Sequence, residues 1–394
     1  LMPGAPVVLC LNAGSSSLKF SIWDDEKSLG EGEVEGIGRP EAFAWLQTPS
    51  APARRLPGQW ADHGEATASV FTLLGEHALP APAGVGHRLV HGGRRHAAPE
   101  RVTPTLIAEL RALIPLAPLH LPSGLAGVEA VAARFPALPQ AVCFDTAFHR
   151  DLPEIARRLP LPRALADEAG LERFGFHGLS YEYVVERLGP VGRGRVVIAH
   201  LGSGASMAAV RDGRVVDTTM GLTPAGGFMM GTRTGDLDPG VLLYLMRERG
   251  YDAQRLDRLV NKESGLLGVS GTSADMKTLL ERRATDEAAA LAVAMFCYQA
   301  RKQIGALAAA MGGLDTLVFT GGIGERAAPV RAEICDGLAH LGVRIDARRN
   351  AAHEDPLSAP AGGCAVRVVA THEDLMIARH SRAVLFARGR EETR

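Results

Sequence analysis

The sequence lacks a long apolar run, a secretory leader pattern and any excess of charge of one sign. Its longest apolar helical stretch, residues 288–300, is too short to cross a bilayer and leads directly into Arg301 and Lys302. The first residues run straight into a strand-like segment without a basic region or a cleavage pattern. We therefore expect a cytoplasmic protein without a membrane segment.

Charge and cysteine usage exclude further classes. The formal net charge is −1, with 46% hydrophobic and 22% charged residues, so no basic field is expected to attract nucleic acid. The five cysteines are widely spaced and include no CxxC pair, which favours packed, reduced thiols over disulfides or zinc. The P-loop pattern Gly-x4-Gly-Lys-Ser/Thr is absent as well, so a P-loop nucleotidase is disfavoured.

The remaining pattern is that of an α/β protein with two domains. A chain of 394 residues exceeds the size at which one hydrophobic core keeps growing. Residues 287–311 predict a long helix that starts with acids and ends at Gly312-Gly313. Short apolar runs that predict buried strands alternate with helical patterns, and they cover residues 7–11, 196–199, 316–320 and 365–370.

An internal resemblance links the two halves. The segment 12–20 (NAGSSSLKF) follows a strand, leads into another and reaches a charged turn near Asp24-Asp25, and the segment 200–206 (HLGSGAS) does the same before residues 211–213. Each copy predicts a β-hairpin whose first turn, built from glycine and serine, lets backbone N–H groups approach an anion. Small-residue turns also occur simply to reverse a chain, but the recurrence favours a pair of phosphate-binding turns.

A third glycine turn and several polar loops complete the candidate site. Residues 320–325 (TGGIGE) follow a strand and open a helical segment, where bare backbone can accept a nucleoside or a phosphate. The loops 87–93 and 231–239 hold an arginine beside glycines, and 176–178 holds a histidine in the same way. A guanidinium fork in such a loop suits a carboxylate or phosphate. Taken singly, each of these residues is equally well explained as a solvated arginine or a turn-capping side chain.

Taken together, the segments resemble the acetate kinase family, which belongs to the superfamily of actin, heat-shock chaperones and sugar kinases. The resemblance covers nearly the whole chain and rests on the following segments: 12–20, 87–93, 116–120, 144–149, 174–178, 200–206, 219–239, 267–277, 318–325 and 371–375.

The resemblance implies two related ribonuclease H-like (actin-like ATPase) domains with a ligand cleft between them. We place the first domain at residues 1–147 plus the C-terminal helix, 373–394, and the second, nucleotide-binding domain at 148–372. Thr371 is predicted to cap that last helix, with Asp374 at the capping-box position. Glu373 then has a second interpretation, as an acid that interacts favourably with the helix dipole. The family also suggests a homodimer.

The resemblance also assigns roles. It places Asp145, His177, Arg233 and Arg88 in the catalytic centre, although we expect Asp145 to position the metal's water shell or an arginine rather than to act as an acid or base. Asn12 and Glu373 would organise Mg²⁺, with Mn²⁺ as the alternative cofactor. The substrates would be ATP/ADP and acetate/acetyl phosphate. Acetate would be bound by Arg88, Val90, Leu119, His120, Phe176 and Pro224. The nucleotide would be bound by Ser15, Ser17, Lys19, His200, Leu201, Gly202, Ser203, Gly204, Asp275, Met276, Lys277, Gly322, Ile323, Gly324, Glu325 and Arg326.

Some positions depart from the family pattern. Asparagines of the family are replaced by Ser203 and Arg326, and Tyr181 and His372 are further exchanges. These departures bear on nucleotide contacts more than on the reaction. Two other functions stay open. The first is a propionate- or butyrate-preferring member of the same family, because one methylene changes the discrimination between substrates by only about 1–3 kcal/mol. The second is a nucleotide-switched scaffold like actin. A scaffold needs no site for a small carboxylate.

Overall fold

The fold was analysed in a computed structural model that describes residues 5–14, 16–118 and 120–387. The predicted ligands Ser15 and Leu119 lie outside the described residues. The chain divides into two units, the first made of residues 1–147 with 372–394 and the second of residues 148–371.

The first unit is built on a sheet whose strand order is β5-β4-β3-β2-β1-β6-β8-β7. Its strands are β1 (Val8–Ala13), β2 (Ser17–Asp24), β3 (Lys27–Glu35), β4 (Ala42–Thr48), β5 (Ala51–Gly58), β6 (Gly84–Leu89), β7 (Glu100–Arg101) and β8 (Gln140–Phe144). Its helices are α1 (His63–Glu76), α2 (Pro104–Ala112), α3 (Leu121–Arg134) and α15 (Glu373–Phe386). Leu9, Phe20 and Val70 belong to the core between the sheet and α1. The late helix α15 packs on β1, β6 and β8.

The second unit is built on a sheet with the order β11-β10-β9-β12-β13. Its strands are β9 (Arg195–Leu201), β10 (Ala205–Arg211), β11 (Arg214–Thr218), β12 (Thr316–Thr320) and β13 (Ala365–Val368). Its helices are α4 (Glu154–Arg157), α5 (Arg163–Ala169), α6 (Gly178–Leu188), α7 (Pro239–Arg249), α8 (Ala253–Lys262), α9 (Gly265–Ser270), α10 (Met276–Arg282), α11 (Glu287–Met311), α12 (Gly321–Arg326), α13 (Ala328–Cys335) and α14 (Ala347–Ala351).

The two sheets share one topology, which confirms the internal resemblance. In each unit an antiparallel meander, β1-β2-β3 or β9-β10-β11, is extended by two parallel strands, β6 and β8 or β12 and β13. Parallel strands need a long crossover, which the helical segments between them provide. The predicted hairpins, each with a glycine-serine first turn, are therefore confirmed.

Local signals explain where the helices begin and end. The predicted long helix is confirmed as α11, since the Asp286 side chain accepts the N–H of Ala289 and Gly312 adopts the left-handed conformation that ends it. Residues 316–320 form β12 as predicted and lead into α12. The predicted cap of the last helix is wrong: α15 starts at Glu373 with His372 at the cap position, and no side chain caps it. The Thr371 hydroxyl is buried without a hydrogen-bond partner among the described residues, because the backbone places it one position too early.

Candidate active site

In the first unit, polar side chains collect at the carboxyl edge of the sheet. Asn12 near the end of β1 is in register with Lys19 on β2 and with Arg88 on β6. Asp145 follows β8, where its N–H donates to the carbonyl of Leu89. Residues in register on adjacent strands share one face of a sheet, so Asn12 is flanked by two cations. The strand order therefore gathers residues that are distant in sequence.

Arg88 is held from several sides. Its Nε lies 2.9 Å from Asp145 Oδ1 and its Nη2 lies 2.5 Å from Oδ2, so the guanidinium donates both bonds of a fork. Its Nη1 donates to Asn12 Oδ1 at 2.9 Å, and Glu373 Oε2 lies 3.8 Å from Nε. Burial by itself would lower the pKa of Arg88, but Asp145 and Glu373 outweigh it and the pKa is raised. Arg88 is therefore a permanently charged group in a fixed orientation.

Asp145 is buried against the guanidinium of Arg88. Its side chain is 1% exposed, and the Arg88 side chain is 17% exposed. A buried carboxylate whose oxygens both receive guanidinium N–H groups is suited to orient that arginine. This contact is the one expected if Asp145 positions an arginine, and that role stays a prediction.

In the second unit, two histidines stack beside a glycine turn. His177 caps the start of α6 with φ at 59°, a left-handed conformation that few residues other than glycine adopt. Its ring lies 4.2 Å from that of His200 at an interplanar angle of 17°. His200 on β9 is in register with Ser206 on β10, so it occupies the position in this sheet that Asn12 occupies in the first. A Cβ added to Gly204 would lie 3.5 Å from His177 Nε2.

Arg233 reaches the same glycine turn. The Cβ position of Gly204 lies 3.4 Å from Arg233 Nη1, and that nitrogen donates to the carbonyl of Pro224 at 3.2 Å. Gly265 has φ at +62°, and a Cβ there would lie 2.1 Å from the carbonyl oxygen of Met230, so glycine is required where the chain passes beneath Arg233. The imidazole of His177 and the guanidinium of Arg233 therefore both approach the backbone of Gly204, an arrangement suited to binding an anion.

A cavity of about 700 Å³ lies in the second unit. Many predicted nucleotide ligands line it, namely Gly202, Ser203, Asp275, Met276, Lys277, Gly322, Ile323 and Arg326. They come from the turn after β9, from α10 and from α12. Sequence reasoning did not single out the further lining residues Ala274, Leu280, Ala327 and Pro329, which are small or apolar; of these, Ala274 lies inside the segment 267–277 named above.

Other predicted ligands serve the backbone around this cavity. Glu325 accepts the N–H groups of Gly321 at 2.9 Å and Thr371 at 3.1 Å, so its carboxylate fixes the start of α12. Leu201 is fully buried in β9, and Gly324 is buried inside α12.

In the first unit Ser17 begins β2, and its carbonyl accepts the N–H of Gly14 at 2.8 Å.

Three of the predicted acetate-binding residues are buried: Val90 in the first unit, and Phe176 and Pro224 in the second. Val90 is 8% exposed in the first unit, where His120 lies at the cap position of α3. In the second unit Phe176 is 1% exposed, and Pro224 is buried next to Arg233.

An arginine that sequence reasoning missed braces α12. Arg331 on α13 is fully buried, and its Nη1 donates to the carbonyls of Gly324 and Glu325 at 2.8 Å each. Its Nε donates to Asn350 Oδ1 at 2.8 Å and its Nη2 to the Asn350 carbonyl at 2.9 Å. Burial lowers the pKa of Arg331. The only signal in the sequence is an arginine in an otherwise apolar stretch after the glycine turn.

The duplicated topology and the glycine-walled cavity are those of an α/β phosphotransferase with the actin-like ATPase fold. The chain belongs to the acetokinase family, whose model matches residues 7–379.

Individual relatives agree with this membership. Over 393 residues the chain is 46% identical to an acetate kinase of Rhodopseudomonas palustris, covering 95% of this chain and 97% of the relative. It is 42% identical to an acetate kinase of Deinococcus radiodurans over 398 residues, with 97% and 98% covered. The crystal structure of Porphyromonas gingivalis acetate kinase is 38% identical, with a TM-score of 0.88 over 97% of this chain and 100% of that one. A propionate kinase structure from Francisella tularensis is 34% identical, with a TM-score of 0.91 over 96% and 100%.

Proposed function

We propose that this chain transfers the γ-phosphoryl group of ATP to acetate, reversibly and by direct in-line displacement, giving acetyl phosphate and ADP. The observation that carries this proposal is the fixed, charged fork of Arg88 between Asp145, Asn12 and Glu373. Asp145 and Asn12 use three of the five N–H donors of Arg88, which leaves one on Nη1 and one on Nη2 to bind a carboxylate or a phosphate in two hydrogen bonds.

The acceptor needs no activation by a base. A carboxylic acid titrates at about pH 4–5, so acetate is ionised at neutral pH and is already the nucleophile. Asp145, which is engaged by Arg88, then has the role of orienting that arginine. What the reaction requires instead is control of negative charge as two anions approach each other.

Cationic and N–H donors supply that control. A loose phosphoryl-transfer transition state spreads charge over three equatorial oxygens, which fixed donors stabilise. We propose that Arg88, Arg233 and His177 supply these donors. Each of these side chains is held by hydrogen bonds within its own unit, so its orientation needs little change during the reaction.

The residues present fit a Mg²⁺ ion. Asn12 and Glu373 can each offer a side-chain oxygen as a ligand, and both already contact the side chain of Arg88. Mg²⁺ prefers oxygen ligands, keeps several waters and is commonly held by one or two protein groups together with substrate phosphates. When bound, the ion neutralises the phosphate oxygens of ATP. We propose that Asn12 and Glu373 hold it, directly or through water, with Mn²⁺ as a substitute.

We propose that ATP occupies the 700 Å³ cavity of the second unit. Gly202 and Gly322 leave room for backbone approach, whereas Lys277 and Arg326 bring positive charge to the wall. In the first unit Ser17 and Lys19 are proposed to contact phosphate oxygens, together with Ser15.

Propionate or butyrate is the alternative acceptor left open above. One neighbouring structure, with a TM-score of 0.91, is that of a propionate kinase, but the acetate kinases among the relatives favour acetate. The acceptor's apolar group is proposed to contact Val90, Phe176 and Pro224, with Leu119 and His120 as further contacts. Apolar walls discriminate one methylene by only about 1–3 kcal/mol.

The deciding experiment is a hydroxamate assay with ATP and Mg²⁺ on acetate, propionate and butyrate. We expect kcat/KM to be highest for acetate. Replacing Arg88 or Arg233 by alanine should lower kcat by about two to three orders of magnitude, because each removes a cation from developing charge. Near-normal turnover in either folded variant contradicts the assignment. A preference for propionate keeps the reaction and changes the substrate.

We also propose that the chain forms a homodimer. The helix α7 has no buried residue along its length, and its apolar side chains Val241, Leu243, Tyr244 and Met246 are 42–53% exposed. Exposed apolar patches of this kind commonly mark interfaces. Light scattering of the purified protein should give twice the chain mass, and the double variant Leu243→Lys with Met246→Lys should give the monomer mass.

No helix of the described residues is long and apolar enough to span a membrane. The cytoplasmic location stays a prediction.

A further inference from the structure

In the second unit, two buried hydroxyl groups form a hydrogen-bonded chain that ends at His177. Tyr181 lies one turn after His177 on α6, and its N–H donates to the His177 carbonyl at 3.1 Å. The Tyr181 hydroxyl lies 2.5 Å from Ser206 Oγ, and Ser206 Oγ lies 2.8 Å from His177 Nδ1. Tyr181 and Ser206 are both fully buried. A phenol, a serine hydroxyl and an imidazole are thus joined away from water.

The donor and the acceptor of each hydrogen bond between Tyr181, Ser206 and His177 can be derived from the number of protons available. The Ser206 hydroxyl has one proton, and its hydrogen bonds among the described residues are those to Tyr181 and His177. A buried hydroxyl that accepts from both neighbours leaves its own proton unsatisfied, which is unfavourable. The phenol is the more acidic hydroxyl, with a pKa of about 10 in tyrosine, so it is the better donor. Tyr181 therefore donates to Ser206, and Ser206 donates to Nδ1.

This direction determines where the imidazole carries its proton. A neutral histidine whose Nδ1 accepts a hydrogen bond has its proton on Nε2. The Nε2 atom of His177 faces the Gly204 backbone, the same place that Arg233 Nη1 approaches. The protonated nitrogen is thus directed toward the candidate anion site.

The neighbouring histidine is arranged in the same way. The Ser180 hydroxyl lies 2.8 Å from His200 Nδ1, and the Cβ position of Gly202 lies 3.9 Å from His200 Nε2. With ring centroids 4.2 Å apart, two cationic imidazoles would repel each other. The stack therefore disfavours the state in which both rings are charged, and in a neutral ring the position of the single proton matters.

We propose that Tyr181 is a positioning residue: through Ser206 it holds the neutral ring of His177 in the Nε2–H tautomer. In that tautomer His177 donates a hydrogen bond to the transferring phosphoryl group, a step that rests on the function proposed above. An Nδ1–H tautomer would present a lone pair to that anion instead.

The tautomer itself is measured by ¹⁵N NMR of protein labelled at histidine ring nitrogens, at a pH of about 8, where a free histidine is neutral. The His177 signals are identified by their loss in His177→Gln. We expect a protonated Nε2 and an unprotonated Nδ1 in the unmodified protein, and a mixture of tautomers in Tyr181→Phe and in Ser206→Ala. An Nδ1–H tautomer in the unmodified protein overturns the proposal without reference to activity.

The kinetic test uses the same variants. Tyr181→Phe should lower kcat about tenfold, the size of one net hydrogen bond to the transition state, with KM for ATP and acetate changed less than about twofold. Tyr183→Phe, on the same helix, is the matched control and should keep the normal kcat. Tyr181→Phe should add no further loss in a Ser206→Ala background, because Tyr181 acts through Ser206.

Additive losses in that double variant, or an unchanged tautomer and kcat in Tyr181→Phe, overturn the proposal. Should Tyr181→Phe not fold, the NMR spectrum of the unmodified protein and of Ser206→Ala still decides. Absence of acetate phosphorylation in the unmodified protein would contradict the proposed function but not the tautomer.

Discussion

The most informative perturbation is Asp145→Asn, which keeps the shape of the side chain and removes its charge. Two hydrogen bonds to Arg88, at 2.9 and 2.5 Å, are then weakened, since an amide NH₂ group would face one of the guanidinium nitrogens. Removing one partner of a buried ion pair costs about 3–5 kcal/mol. Arg88 is 17% exposed and keeps Asn12 and Glu373, so we expect a cost at or just below the lower end of that range, about 2–3 kcal/mol.

The stability of the first unit can be followed selectively. The three tryptophans of the sequence, Trp23, Trp45 and Trp60, all belong to that unit, so the fluorescence change in urea reports its unfolding. The matched control is Glu129→Gln, because Glu129 pairs with Arg111 at the surface and both side chains are more than a third exposed. An exposed pair of this kind contributes about 0–1 kcal/mol. Equal unfolding midpoints for Asp145→Asn and Glu129→Gln would refute the reasoning.

The pH profile of the same variant separates two roles. If Asp145 orients Arg88, Asp145→Asn lowers kcat by about ten- to a hundredfold, and both limbs of the pH profile stay where they were. If Asp145 transferred a proton, the limb that reports its ionisation would disappear. Loss of that limb would contradict the arginine-orienting role even if the stability change were as expected.

Three further predictions follow from the second unit. Arg331→Met should lower the unfolding free energy of the second unit by about 3–5 kcal/mol, because several buried acceptors lose their donor. Circular dichroism in urea measures this change, and a loss below about 1 kcal/mol contradicts the prediction. Burial lowers the pKa of His149 to about 4, so stability is highest above about pH 6.5 and falls as the pH decreases toward about 4. His149→Asn should flatten that slope, and an identical slope refutes it. Ser203→Asn should tighten ATP binding by about 0.5–1.5 kcal/mol in calorimetry, since the amide adds donors; unchanged affinity for ATP contradicts it.

Much of the architecture could be predicted because its signals are local. An aspartate before residue 287 and a glycine after residue 311 determine where α11 begins and ends, and both can be identified in the sequence. The hairpins were visible because each glycine-serine turn lies between two apolar runs. The helix α15 starts at Glu373 as predicted, but its cap residue was predicted wrongly, because several neighbouring residues can cap a helix and tertiary packing decides among them.

The candidate site was predictable only in part, since its geometry depends on strand order. That Asn12, Lys19 and Arg88 lie side by side follows from register, which no single segment of sequence specifies. Arg331 was missed for a related reason: the carbonyls it binds belong to segments whose contact arises only in the folded unit. Residue types in motifs predict chemistry, but supporting side chains outside the motifs leave little trace.

The position of α15 has a consequence for the order in which the protein folds during synthesis. This helix, Glu373–Phe386, packs on β1, β6 and β8, and a Cβ on Gly86 would lie only 2.1 Å from Ser381 Oγ. The first unit thus combines the earliest strands with a helix translated more than 200 residues after β8, whereas the second unit is one continuous stretch. Because domains fold as their residues become available, the second unit can be complete while the first still waits for α15. Because Glu373 is the first residue of α15, the complete set of contacts around Arg88, with Asp145, Asn12 and Glu373, is among the last features of the molecule to form.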